Sequence, residues 1–301
     1  MKHLKHLFSL SALCALSLTA AAQSFTVHTK TGEAVTYETA NVDSIVFHED
    51  KQPEVTAPRI GDIYYSDGTW STQLRTDATP IGIVFSVGIA SDYNDRTAYY
   101  TQKDGTTPMT DFHGYVVALK DATEQADGSN EGVWWSAFDS DFEGTGGSVS
   151  TTDFLGYTNT QSIVATALRD KGELSASTNN YPATYYATTA YEAVCPSPAQ
   201  SSGWFLPSVG QMAYMFDRVY FDEDGSGRSC LENTFTALGT DLATPMYTAD
   251  SEYWTSTEKI DSYGTSTWAY YYSFDSSQFS PGFSADYRKN TAMRVRSVLA
   301  F

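Results

Sequence analysis

The run Trp204-Phe205-Leu206-Pro207-Ser208-Val209-Gly210-Gln211-Met212 constrains this chain more than any other stretch. Its three leading apolar residues read as a short buried strand. Pro207 has no N–H to give to a ladder, and its fixed φ suits a turn, so the strand must stop there. Ser208 then stands where a helix N-cap belongs. Met212, Met215, Phe216 and Val219 follow at helical spacing. The segment therefore joins sheet to helix, which makes this a chain of mixed α and β structure. Two later segments supply more sheet. Tyr253-Trp254-Thr255-Ser256 reads as a strand. In Ala292 to Phe301, Met293, Val295, Ser297 and Leu299 alternate with Arg294, Arg296, Val298 and Ala300.

The first 22 residues read as a secretory signal. Lys2 and Lys5 form the positive n-region, Leu7 to Leu18 a short apolar h-region, and Ala20-Ala21-Ala22 a small-residue cleavage site ahead of Gln23. Cys14 raises a lipoprotein alternative, but Leu13 before it is bulky where a small residue is wanted. No other apolar run approaches the roughly 18 residues of a membrane span. Loss of Lys2 and Lys5 takes the formal charge from −18 to −20. Such a surface repels nucleic acid, which needs clustered Lys and Arg to neutralise phosphates, and repels anionic membranes. The chain is therefore expected to be exported, at the cell surface, in the periplasm or secreted.

Residues 23–50 form a small β-module. Phe25, Val27 and Thr29 alternate, Lys30 to Glu33 is a turn, Val35 and Tyr37 alternate again, and Val42 to Phe47 is a third candidate strand. Residues 51–60 read as a linker carrying Pro53 and Pro58. The main domain then covers residues 61–301. Ile63-Tyr64-Tyr65 opens it, and Pro80 to Val87 and Gly114 to Asp121 are strands of the buried type. Asn159 or Thr160 caps a helix bearing Ile163, Val164, Ala167 and Leu168, which stops at Lys171-Gly172. Tyr181-Pro182 starts a second helix, and the Ser208 helix is the third. Trp268 to Phe274 adds another strand.

Gly61-Asp62-Ile63-Tyr64-Tyr65, Gly114 to Leu119, Tyr181-Pro182-Ala183 and the three segments named first occur in an order that resembles a known family. It comprises secreted domains related to the C-terminal domain of bacterial collagen-like adhesins, and the major paralogous domains of fibre-degrading bacteria. The resemblance implies a C-type-lectin-like domain, similar to the formylglycine-generating-enzyme scaffold, with a mixed, mainly antiparallel sheet and about three helices. The N-terminal module resembles short β-modules on exported proteins of Gram-negative gut anaerobes. The scaffold is implied and an enzymatic activity is not, because Cys195 and Cys230 lie outside the closing segment where formylglycine-generating enzymes keep their cysteines.

Chemistry-bearing motifs are few. His28, His48 and His113 are scattered, and there is no HExxH, paired CxxC or G-x-S-x-G. The chain is therefore expected not to be an enzyme, and His113 reads as a structural histidine. Cys195 and Cys230 suit one disulfide in an oxidising compartment; the alternative is two separate thiols. Asp222, Asp224, Ser226 and Arg228 occupy positions 1, 3, 5 and 7 of a loop like that of an EF-hand, with Gly227 at the sharp turn. Calcium is possible there, although Asn233 stands where a bidentate acid belongs; the alternative is a solvated acidic turn. Arg294 and Arg296 share one face of the last strand, and a half-buried pairing with a carboxylate such as Glu258 is expected.

Aromatic clusters are the remaining lead, since the chain has 21 tyrosines and 6 tryptophans and each buried hydroxyl needs a partner. Trp134, Trp135, Tyr270 and Tyr272 are the candidate ligand-binding residues, with the two tryptophans on a loop. Exposed aromatics of this kind stack on sugar rings or anchor protein partners. The leading expectation is an exported, non-enzymatic adhesion or binding protein. Its partner would be a glycan or an extracellular protein. The alternative is a structural or assembly component of a surface appendage or outer-membrane complex.

Overall fold

The computed structural model describes residues 24–28, 34–42, 57–126, 128–137, 144–220, 230–249, 251–274 and 284–301. The chain divides into two compact units, Met1–Thr56 and Ala57–Phe301.

In the first unit β1 (Ser24–His28) and β2 (Ala34–Glu38) pair antiparallel, Phe25 opposite Tyr37 and Val27 opposite Val35. Because side chains alternate across a strand, this register sets Val27, Val35 and Tyr37 on one face. Ser24, Thr26, His28 and their partners line the other, where Thr26 and Thr36 share a hydrogen bond at 2.7 Å. Most of the third candidate strand, residues 43–47, lies outside the described residues.

The second unit is α+β with two antiparallel sheets. Five strands run in the order β10-β6-β5-β3-β4: β3 is Ile63–Tyr65, β4 Trp70–Ser71, β5 Pro80–Val87, β6 Gly114–Ala118 and β10 Val298–Ala300. Three more run β7-β8-β9, namely Glu252–Lys259, Trp268–Ser273 and Ser284–Arg288. β5 and β6 are buried along nearly their whole length, which explains apolar runs without alternation: both faces of the sheet are covered. One face packs Ile83, Phe85, Tyr115 and Val117 against α4 (Val209–Tyr220) and α5 (Cys230–Leu238). The other packs Tyr64, Val84, Val116 and Leu299 against Tyr191 and Trp204.

The segment that opens the sequence argument forms the junction of the domain. Phe205 bridges Val298, while the Leu206 N–H and C=O both bond Thr160 Oγ1, at 3.1 and 3.2 Å. Ser208 caps α4 reciprocally. Its Oγ accepts the Gln211 N–H at 3.3 Å, and the Gln211 side chain accepts the Ser208 N–H at 2.9 Å. This is a capping box, with two orphan donors of the helix start satisfied by one Ser/Gln pair. Gly210 is required by close approach: a Cβ there would lie 2.6 Å from the carbonyl oxygens of Thr152 and Asp153.

Three expectations need correction. Helix α1 runs Gly156–Lys171, beginning before Asn159 and Thr160. Both predicted caps are engaged elsewhere, Asn159 Oδ1 accepting the Ser148 N–H at 2.7 Å and Thr160 holding Leu206. The helix does stop at Gly172, whose φ of 78° is left-handed. Among the described residues, four α-helical stretches stand where about three were expected. α2 (Pro182–Tyr185), a π turn (Tyr186–Ala190) and α3 (Tyr191–Val194) form one continuous stretch, and α5 is additional. Finally, the closing strand is only Val298–Ala300. Met293 and Val295 leave the five-stranded sheet to pack with Trp135, Trp254 and Leu206, so this segment serves both sheets.

Candidate functional site

The sequence candidates separate in space. Tyr270 and Tyr272 share one face of the β7-β8-β9 sheet. Tyr272 is buried there, its ring 5.9 Å from Phe216 and 5.4 Å from Phe274. Tyr270 is half-buried at the edge of that core. Trp135 lies in the cluster on the opposite face, among Tyr271, Trp254 and Tyr181. Trp135 is fully buried and Trp134 half-buried. Trp135 and Tyr272 are therefore core residues, and the four aromatic candidates do not gather in one place. The segment that carries the tryptophans is tied down by Trp135 N–H to Lys289 O and by Ala183 N–H to Trp134 O, at 2.8 and 3.1 Å.

The cysteine pairing is also corrected. No disulfide joins Cys195 and Cys230. Cys195 ends α3 against the Tyr191–Trp204 cluster, where burial pushes its thiol up to about 11. Cys230 opens α5, which packs on the other face of the five-stranded sheet. The sheet itself separates them. Asp222, Asp224, Ser226 and Arg228, the candidate calcium residues, lie outside the described residues. Among the described residues no three His, Cys, Asp or Glu side chains group as metal ligands. His113 packs its ring against Trp70 and Phe301, at 4.9 and 5.8 Å.

An open cleft of about 280 Å³ lies beside the tryptophan loop, lined by Asn130, Glu131, Gly132, Glu252, Met293 and Arg294. Its floor is held by the Val133–Met293 and Tyr253–Arg294 bridges. Two acids and one guanidinium give it a polar, mixed-charge lining.

Beneath the surface are three buried polar clusters. In the first, the Arg296 guanidinium meets Asp121 at 2.5 Å and donates to the carbonyls of Ala118, Leu119 and Thr244 at 2.8–3.0 Å. Arg296 stays charged: burial opposes this, but Asp121 acting together with Tyr253 and Tyr191 outweighs it and raises the pKa. In the second, Lys289 Nζ donates to Glu258 Oε1 at 2.5 Å and sits 4.2 Å from the Trp135 ring centroid. Burial pulls this ammonium down to about 8, against the pull of Glu258. The expected pairing of an arginine with Glu258 is thus corrected. Arg296 takes Asp121, and Glu258 takes Lys289.

The third cluster was not foreseen at all. Asp95 is fully buried and accepts from the backbone N–H groups of Ala90 and Arg96 and from the hydroxyls of Tyr100 and Tyr115. Burial raises its pKa to about 6, more than these hydrogen bonds lower it. An acid whose folded value exceeds its unfolded value of about 3.9 binds its proton more tightly when folded. Its contribution is then present below pH ~4 and is lost as pH rises through ~6, up to about 3 kcal/mol in all. Between pH 4 and pH 7 the parent should lose stability relative to Asp95→Asn by this order. Urea unfolding across that range measures it, and a flat difference between the two proteins rules the Asp95 carboxyl out as a titrating group.

No family model matches the chain, and no curated protein does. A solved structure, that of a fimbrial protein from Bacteroides ovatus ATCC 8483, is similar in fold, with a TM-score of 0.52 at 19% identity. The match covers 92% of this chain and 57% of that one, so this chain spans little more than half the length of the fimbrial protein it resembles. No helix among the described residues is long and apolar enough to cross a membrane. The chain is thus a mixed α+β protein whose second unit holds two antiparallel sheets, with a fold similar to that of a fimbrial protein.

Proposed function

We propose that this protein is an exported structural or assembly component of a surface appendage, and not an enzyme. The observation that carries the reading is the likeness in fold to a fimbrial protein over 92% of the chain. Two features support it. The buried ion pairs and the Asp95 cluster all lie inside the domain, where they hold loops and strand ends together. The N-terminal hairpin presents Val27, Val35 and Tyr37 at 46–48% exposure, an apolar surface of the kind that marks a protein contact. The lectin-like scaffold implied by the sequence resemblance belongs to this proposal as the frame of the second unit.

The test is fractionation of the native host. Filaments sheared from the surface should carry the chain, and a deletion strain should show shortened or missing filaments in negative-stain micrographs. Recovery of the protein only as a free monomer, with filaments unchanged in the deletion strain, would overturn the reading. A second reading, loop-mediated adhesion, is favoured by the β7–β8 turn, where Tyr263 is 90% exposed and Ile260 45%. Binding of the chain to a glycan or matrix array that Tyr263→Ser abolishes would support it.

A further inference from the structure

Glu258 and Lys289 are set up for more than an ion pair. Glu258 is on β7 and Lys289 follows β9, with β8 between them. They touch because β8 offers only Ala269 opposite Glu258. Both side chains are out of solvent, at 3% and 0% exposure. Every oxygen of the carboxylate is engaged by a donor. The Thr145 N–H reaches Oε2 at 2.8 Å and the Thr145 hydroxyl also donates to Oε2. Ser266 Oγ lies 3.0 Å from Oε1 and 3.0 Å from Lys289 Nζ, bridging acid and amine. Trp135 closes the site over the amine.

We propose that Glu258 and Lys289 condense to a side-chain amide, a covalent cross-link between β7 and the segment after β9. With Nζ at 2.5 Å from Oε1, the amine lies within roughly 3.5 Å of the carboxyl carbon, a near-attack separation. The step balances without any outside reagent. One proton passes from Nζ to Oε1 through Ser266 Oγ, leaving a neutral amine and a carboxylic acid. Burial costs the ammonium its hydration, and here it draws Lys289 toward neutrality. Nζ attacks the carboxyl carbon, a C–N bond forms, and the C=O electron pair moves onto Oε2. The Thr145 N–H and hydroxyl hold that oxyanion. The C–Oε1 bond then breaks, and the hydroxyl leaves as water with a second proton from Nζ, again by way of Ser266. Nothing is oxidised or reduced. The amide keeps one hydrogen on nitrogen, which can still donate to Ser266. The proposal does not rest on the appendage reading, and its test is independent of it.

The experiment is intact-mass measurement and tryptic mapping of the exported chain. The protein should be lighter by one water than its sequence requires. The map should contain one branched peptide joining Glu258 to an uncleaved Lys289, with neither linear peptide present. Lys289→Arg, which keeps the cation but cannot form the amide, should have the full mass. Ser266→Ala should slow the mass loss on refolding by on the order of 100-fold, as removal of a proton relay does. Full mass for the parent, with both linear peptides recovered, overturns the proposal. So does a water lost elsewhere in the chain. An unchanged rate in Ser266→Ala overturns the relay and leaves the amide to the mass data alone.

Discussion

Trp135→Ala is expected to destabilise the domain by about 3–5 kcal/mol, the range for removing a buried aromatic that the surroundings cannot refill. The indole is fully buried, and its N–H donates to the Thr255 carbonyl at 2.8 Å. Its edge-on partner Tyr181 lies 5.7 Å away, and Lys289 sits over its face at 4.2 Å. Truncation therefore opens a cavity, removes the indole donor from the Thr255 carbonyl, and uncovers the Lys289 nitrogen. Chemical denaturation of the variant measures the loss. Trp134→Ala is the internal control. That ring is half-buried, and a cost below about 1.5 kcal/mol is expected because less apolar surface leaves water on folding. Equal destabilisation by both substitutions would contradict the assignment of Trp135 as the core member of the pair.

Arg296→Met is expected to cost about 3–5 kcal/mol, because removing one partner of a buried ion pair leaves the other charge uncompensated. The residue left behind is Asp121, which retains only the Asn130 amide at 2.9 Å and the long Tyr253 contact at 3.4 Å. The carbonyls of Ala118, Leu119 and Thr244 each lose the guanidinium as a donor as well, Leu119 keeping the Thr244 N–H at 2.8 Å. The paired change Arg296→Met with Asp121→Leu should recover much of the loss, since two apolar groups leave no buried charge to satisfy. A double-mutant cycle on unfolding free energies tests both statements. A double variant no more stable than Arg296→Met alone would mean that the carbonyl contacts, and not the ion pair, dominate.

Several features were legible because the signal is local. The turn at Pro207 and the cap at Ser208 depend on residues within a few positions, and the capping box forms as the spacing of Ser208 and Gln211 requires. Gly172 ends α1 for a similarly local reason, a left-handed backbone that glycine adopts without strain. Helix α5 carried a readable pattern too, with Leu231, Phe235 and Leu238 at helical spacing and all buried. Its signal is masked by the acidic run Asp222-Glu223-Asp224 shortly before it in sequence.

The start of α1 shows why other features were not legible. Asn159 and Thr160 are good caps by residue type, yet both side chains are taken by partners distant in sequence, Ser148 in a loop and Leu206 in the central strand. Tertiary contacts of this kind override local preference. The partners of buried charges are hidden for the same reason. Nothing near Lys289 distinguishes it from an exposed lysine in a turn, and nothing near Asp95 announces two tyrosine hydroxyls.

By itself, then, the sequence determined where β3, β5, β6, β7 and β8 and the helices α1, α2 and α4 lie in the second unit to within a few residues, and which segments would be buried on both sides. Hydrophobic period, proline and glycine act over a few residues and need no knowledge of the fold. Only the tertiary structure decided which member of each aromatic pair faces the core, that Arg296 takes Asp121 while Glu258 takes Lys289, and that Cys195 and Cys230 stand on opposite faces of a sheet. Those outcomes depend on contacts between residues up to 178 positions apart. A one-residue difference in register reverses the face of every side chain in a strand, so such contacts are set by packing and not by any local pattern.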